Sequence, residues 1–197
     1  MKKTFLAITA MLGLVLTGCG NSSNENQSAQ KDNASTQTVL SVDDVLENAA
    51  SLVGKTVVVE GECSHLCKHG GVKAFLVSAK SDQSLRAEAK GEFKAFPKET
   101  IHQVLRITGV VVEDRIDEAA VKKMEEEYGK LEQVHGENVE VGCDAEKAAQ
   151  GQEGIDTFAA RMQDYRDKIA ERQAKEGKAY LSFYHIDASG YEIVKDE

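Results

Sequence analysis

From Lys55 to Val112 the sequence runs as short β-branched or alternating segments separated by glycine and polar breaks, and this stretch limits the fold most. Lys55 to Cys63 is a first strand, with Gly61 expected to mark a bend or bulge. Gly70-Gly71 is a turn signal, and Val72 to Ala79 a second strand. After the turn Ser81-Asp82-Gln83, Leu85 to Ala89 alternates with Arg86 and Glu88, as a half-buried third strand does. A short helical or irregular piece is expected around Phe93 to Pro97. Val104 to Val112, with Gly109 inside it, is a fourth strand. A further run, Tyr180 to Ile186, stands alone near the C-terminus and must pair with something to bury Leu181 and Phe183.

Three strands in a meander, a short connector and a fourth strand resemble the OB-fold, a small Greek-key barrel. The bent Val59-Glu60-Gly61 and the stretch Ile107-Thr108-Gly109-Val110-Val111-Val112 carry that resemblance. It implies a fifth strand. Val110 to Arg115 could supply it after a bend at Gly109, but the C-terminal run is preferred. The expected fold class is then α+β. An OB-like β-barrel takes residues 39–115, a helical insertion 116–178, and a strand returning to the barrel 179–197.

Ahead of the barrel, Ser41-Val-Asp-Asp44 is a capping-box-like helix start, with Leu40 and Val45 placed as a hydrophobic staple. Val42, Val45, Leu46, Ala49 and Val53 make its apolar face, and Gly54 ends it. The insertion carries two narrow apolar stripes. One is Val121, Met124, Tyr128, Leu131 and His135; the other is Ile155, Phe158, Met162, Tyr165 and Ile169. A helix pair packing on itself and on the barrel is the simplest arrangement. Glu125 to Glu127 read as a solvated face. Residues 137–154, broken by Gly142, Gly151 and Gly154, read as a long connection, and Gly177 ends the second helix.

The N-terminus reads as an address. Lys2 and Lys3 precede an apolar run, Phe5 to Leu16, too short for the about 20 residues of a spanning helix. The run ends in Leu16-Thr17-Gly18-Cys19, which resembles the lipobox of bacterial lipoproteins. The resemblance implies cleavage after residue 18, a diacylglyceryl thioether on Cys19 and an N-acyl chain such as palmitate. Several acyl chains give a stable anchor. Gly20, where enterobacterial lipoproteins retained in the inner membrane commonly carry Asp, favours the outer membrane. The periplasmic and surface faces both stay open. An ordinary secretory signal with an incidental Cys19 is the other reading. Residues 20–38 hold no aromatic and no large aliphatic side chain, so they cannot offset their ordering entropy. They read as a tether of roughly 25 Å mean reach.

One dense chemical cluster stands out, Cys63-Ser-His65-Leu-Cys67-Lys-His69-Gly-Gly71. Thiolate and imidazole are the ligands preferred by zinc and copper. On a regular strand all four donors would share one face, with Cys63 and Cys67 roughly 13 Å apart, too far to hold one ion. A single site therefore requires the chain to turn within residues 64–71. Cys143, in the long connection, is the remaining thiol. With Cys19 lipidated, an odd number of cysteines is left, which suits a Cys-and-His metal site. It suits equally a disulfide plus a reactive thiol whose pKa neighbouring Lys68 and histidines could lower. A third reading makes the cysteines small buried residues and the module one for structure or interaction. The metal reading uses Cys63, His65, Cys67 and His69, with Cys143 joining. His102 and His185 stand alone and read as structural or exposed. His135 suits a helix C-terminus.

Phosphate loops, dinucleotide fingerprints, nucleophile elbows and His-Glu-x-x-His are all missing, so no catalytic residue is assigned and a non-enzymatic role is expected. With 33 acidic against 24 basic residues, a net charge of −9 and 6% aromatics, nucleic acid is not an expected partner. The membrane, through the lipid, and other envelope proteins are.

Overall fold

A computed structural model describes residues 38–195, apart from 69, 82, 136–138, 140 and 141. The lipobox with Cys19, the tether up to residue 37, and His69 lie outside the described residues. Strand β1 (Val39–Ser41) leads directly into helix α1 (Val42–Leu52). Ser41 caps that helix by a reciprocal box. Its hydroxyl accepts from the Asp44 N–H at 3.1 Å, and the Asp44 carboxylate accepts from the Ser41 N–H at 3.0 Å. Strands β2 (Thr56–Leu66), β3 (Lys73–Val77) and β4 (Ser84–Ala89) form the meander. An irregular connector and a single 3-10 turn, Lys98–Thr100, lead to β5 (Val104–Ile116). Helices α2 (Glu118–His135), α3 (Asp144–Ala149) and α4 (Phe158–Glu176) follow, and β6 (Leu181–Ile193) ends the chain. No helix among the described residues is long and apolar enough to cross a membrane.

Five strands close a barrel in the order β2-β3-β4-β6-β5 and back to β2. Strand β6 runs parallel to β4, pairing Arg86 with His185 and Glu88 with Asp187, and antiparallel to β5 along its whole length. That is the OB-type strand order. The C-terminal strand supplies the fifth stave, and β5 continues unbroken past Gly109. β1 lies parallel beside Val58–Glu60 and occupies the part of β2's edge that β3 leaves open. This short strand has no clear signal in the sequence.

The barrel core is aliphatic. Val59, Leu76, Leu85, Leu105, Ile107 and Ile186 are fully buried, and α1 adds Val42 and Val45. Gly61 sits under that helix. A Cβ there would lie 2.6 Å from Val42 Cγ2, so the glycine allows close approach, and the bulge expected at Gly61 falls between Cys63 and His65 instead. A second core forms where β5 and β6 run on beyond the barrel. There Ile116, Val121, Met162 and Tyr165 join the helix pair to the ribbon. Tyr128 stacks on Phe158 at 3.9 Å, and Arg166 of α4 pairs with Glu118 and Glu125 of α2. The α4 helix starts later than its stripe suggests: Thr157 caps it and Ile155 lies outside. The expected connection 137–154 contains α3, a helix too short to show an apolar stripe.

The register of β5 against β6 shifts between Thr108 and Gly109. A Cβ on Gly109 would stand 2.4 Å from the Asp187 carbonyl oxygen and 2.5 Å from Ile186 Cγ2. Gly109→Ala is therefore expected to cost about 1–3 kcal/mol through forced displacement at the barrel seam. Urea denaturation of the variant measures this, and an unchanged midpoint would show that the seam absorbs the methyl group.

Candidate functional site

The bulge in β2 decides what the Cys/His cluster becomes. Cys63 opposes Leu76 and His65 opposes Phe75, so Ser64 is the extra residue. Regular alternation would have put Cys63, His65 and Cys67 on one face. With the bulge, Cys63 and Leu66 face the barrel core, where Cys63 is 0% exposed. Its thiol pKa is raised, first by burial, with a contact to the His65 carbonyl oxygen opposing. His65 faces outward, its ring 5.8 Å from that of Phe75. Its Nε2 is buried and has no hydrogen-bond partner among the described residues. Cys67 is buried beside Lys73, whose N–H lies 3.3 Å from the Cys67 sulfur.

The chain reverses directly after Cys67. Gly70 and Gly71 both have positive φ, and the Gly71 N–H donates to the Cys67 carbonyl at 3.2 Å. A Cβ on Gly71 would lie 2.4 Å from the Phe96 carbonyl oxygen, so only glycine fits this turn. Cys143 opens helix α3 and is half-buried. Glu146 of the same helix reaches Lys73 at 2.9 Å and also pairs with Arg86. Asp144 has its carboxyl held below the ordinary range, first by Lys147 and further by Lys68 and His65. The start of α3 thus lies on the outward side that carries His65. Cys63, Cys67 and Cys143 are not joined to one another in disulfides. Among the described residues, no three cysteine and histidine donor atoms come within 4.8 Å of one another. Cys67, His65 and Cys143 therefore share a side of the molecule without forming a closed ligand shell, and Cys63 lies apart from them. His102 is exposed, with 3.8 Å between its Nδ1 and Glu62.

A second constellation had little signal in the sequence. His185, isolated in the chain, is 4% exposed and lies between two carboxylates. Its Nδ1 is 3.0 Å from Asp114 Oδ2, and its Nε2 is 3.1 Å from Asp187 Oδ1. Arg86 pairs with Asp114 at 2.6 Å and also with Glu146. Burial works against the Arg86 charge, and Glu146, Glu88 and Asp114 more than offset it, so its pKa is raised. Arg86 Nε lies 3.1 Å from Glu88 Oε1 but is not aligned for a hydrogen bond. Lys90 bridges Glu88, at 2.9 Å, and Asp187, at 3.6 Å. Strands β4, β5 and β6 and helix α3 supply these groups, so only their alternation within each strand was legible beforehand.

No protein-family model and no curated protein matches the chain. Among solved structures it is similar to a protein described as an aspartyl-tRNA synthetase from Leishmania major Friedlin, with 23% identity over 45% of this chain and 18% of that one, and a TM-score of 0.29. It is also similar to an Entamoeba histolytica asparaginyl-tRNA synthetase in complex with asparaginyl-adenylate, with 22% identity over 38% of this chain and 17% of that one, and a TM-score of 0.26. An aspartyl tRNA synthetase from Entamoeba histolytica shows 16% identity over 86% of this chain and 45% of that one, with a TM-score of 0.29. The chain thus spans less than half of each of these proteins. At such scores the similarities assign no activity, and the barrel is defined by its own strand pairing.

Asp114 carries a testable consequence. The hydrogen bond from His185 is the main cause that lowers its pKa from 3.8 to about 2; burial opposes, and Arg86 adds to the lowering. A depressed folded-state pKa stabilises the fold fully above the unfolded value and ceases to do so as pH falls through the folded one. Stability should therefore fall between pH 3.8 and about 2. In Asp114→Asn that part of the loss should be absent, as read by denaturant midpoints across the window.

Proposed function

We propose that this chain is a lipid-anchored bacterial envelope lipoprotein whose OB-like barrel binds a thiophilic metal, zinc or copper, without catalysing a reaction. The anchor reading rests on Lys2, Lys3, the apolar run and Leu16-Thr17-Gly18-Cys19. Acylated Cys19 and the tether would hold the barrel close to a membrane, the outer one by the Gly20 argument. Cys19→Ser is expected to move the protein from the membrane fraction to the soluble fraction. Membrane retention of that variant would sink the anchor.

The metal reading is carried by one observation: the buried Nε2 of His65 has no hydrogen-bond partner among the described residues, on the side of the barrel that also bears Cys67 and the Cys143 end of α3. A buried ring nitrogen without a partner costs free energy that a metal ion would recover. Ligand shells commonly close only when the metal arrives. Imidazole and thiolates suit zinc, and copper(I) also favours thiolate. In this proposal His65, Cys67 and Cys143 are ligands, His69 is a candidate fourth, and Cys63 is the packing member of the set. The raised thiol pKa of Cys63 also disfavours it as a redox nucleophile.

The full chain, purified without chelator, should carry near-stoichiometric zinc or copper. Cys67→Ser and Cys143→Ser should each lower metal content. Cys63→Ser should keep the metal while losing stability, because it places a hydroxyl in an aliphatic core. Metal lost in Cys63→Ser but kept in Cys143→Ser would overturn this assignment. Absence of metal after reducing reconstitution would leave the second reading, an envelope interaction module. That reading is favoured by a cleft of about 770 Å³ between β4, β6, α3 and α4, lined by Arg86, Glu146, Arg172 and Phe183 among others.

A further inference from the structure

We propose that Glu88, His185 and Asp187 form a second cation site, for a divalent first-row transition ion such as zinc, in which the Lys90 ammonium acts as a built-in competitor. One ligand atom from each residue lies within 4.8 Å of the other two. Barrel closure fixes that spacing. Glu88 and Asp187 are register partners on parallel β4 and β6, and His185 sits two residues before Asp187 on the same face.

The histidine carries the argument. A metal-bound imidazole commonly donates its other ring N–H to a carboxylate, which fixes tautomer and orientation. Here Nδ1 faces Asp114 Oδ2 at 3.0 Å, and Nε2 points toward Asp187. The outer carboxylate is thus already in place, on β5, for an ion held at Nε2. His185 is almost fully buried, whereas the Asp187 side chain is 34% exposed, which leaves a route from solvent. One nitrogen and two carboxylates are a borderline-hard set, distinct from the thiolates around Cys67.

The surrounding charges limit the affinity. Glu88 also meets Arg86 Nε at 3.1 Å and Lys73 at 3.6 Å, and Arg86 Nη2 lies 3.2 Å from His185 Nδ1. Arg86 is held by Asp114 and Glu146, and Lys73 by Glu146, so both have anionic partners outside the triad. Lys90 differs: its partners here are Glu88 and Asp187, and its side chain is 49% exposed. It can swing into solvent. A divalent ion can then take the place of its ammonium between Glu88 and Asp187.

The test uses the full chain carrying Cys67→Ser and Cys143→Ser, titrated with cobalt(II) and with zinc. Cobalt should bind saturably without a thiolate-to-cobalt charge-transfer band, which separates this site from the one under Proposed function. Lys90→Met added to that background should bind about tenfold more tightly, a change of about 1.4 kcal/mol. Asp187→Asn should weaken binding, and Asp114→Asn should weaken it about 10- to 100-fold while circular dichroism stays unchanged. No saturable binding in a folded Lys90→Met chain would overturn the proposal, as would binding at full strength in Asp187→Asn.

Discussion

Pairing of β6 with two partners holds this molecule together. A meander of β2, β3 and β4 with β5 alone would leave two open edges, each a row of unpaired backbone groups. β6 fills both edges at once, parallel to β4 and antiparallel to β5. Its Ile186 and Ala188 complete the aliphatic core from the inside. Its Leu181 and Phe183 pack against the second core with the helices. The insertion between β5 and β6 is therefore anchored at both ends on one ribbon, and its helices need only a narrow apolar stripe each.

The same seam organises the charges. Because β4 and β6 run parallel, Arg86 meets His185 and Glu88 meets Asp187. Burying these groups costs solvation, so each must be paired. The pairing reaches out to Asp114 on β5, Lys73 on β3 and Glu146 on α3, which ties the short helix to the barrel. Gln152, fully buried, does similar work on the other side of α3: its carboxamide bonds Arg161 and Asp164 of α4.

The bulge at Ser64 is a small change with a large chemical effect. One extra residue turns His65 and Cys67 away from Cys63 and leaves Cys63 as core. The double glycine that follows lets the chain turn tightly against the Phe96 carbonyl. Cysteines and histidines that are dense in the sequence are thus separated by the strand geometry.

Local physics written in the sequence determined the elements. The Ser41 box, the β-branched runs, the Gly70-Gly71 turn and the two apolar stripes each follow from near-neighbour chemistry, and the isolated C-terminal strand had to pair to bury its apolar side chains. β1 and α3 escaped notice because three and six residues are too few for a periodic signal. Only the tertiary structure decided where the extra residue in β2 falls, and which side of the barrel Cys63 and His65 face. It also decided that His185 would meet Asp114 across 71 residues of chain, because strand order, and no local rule, brings them together.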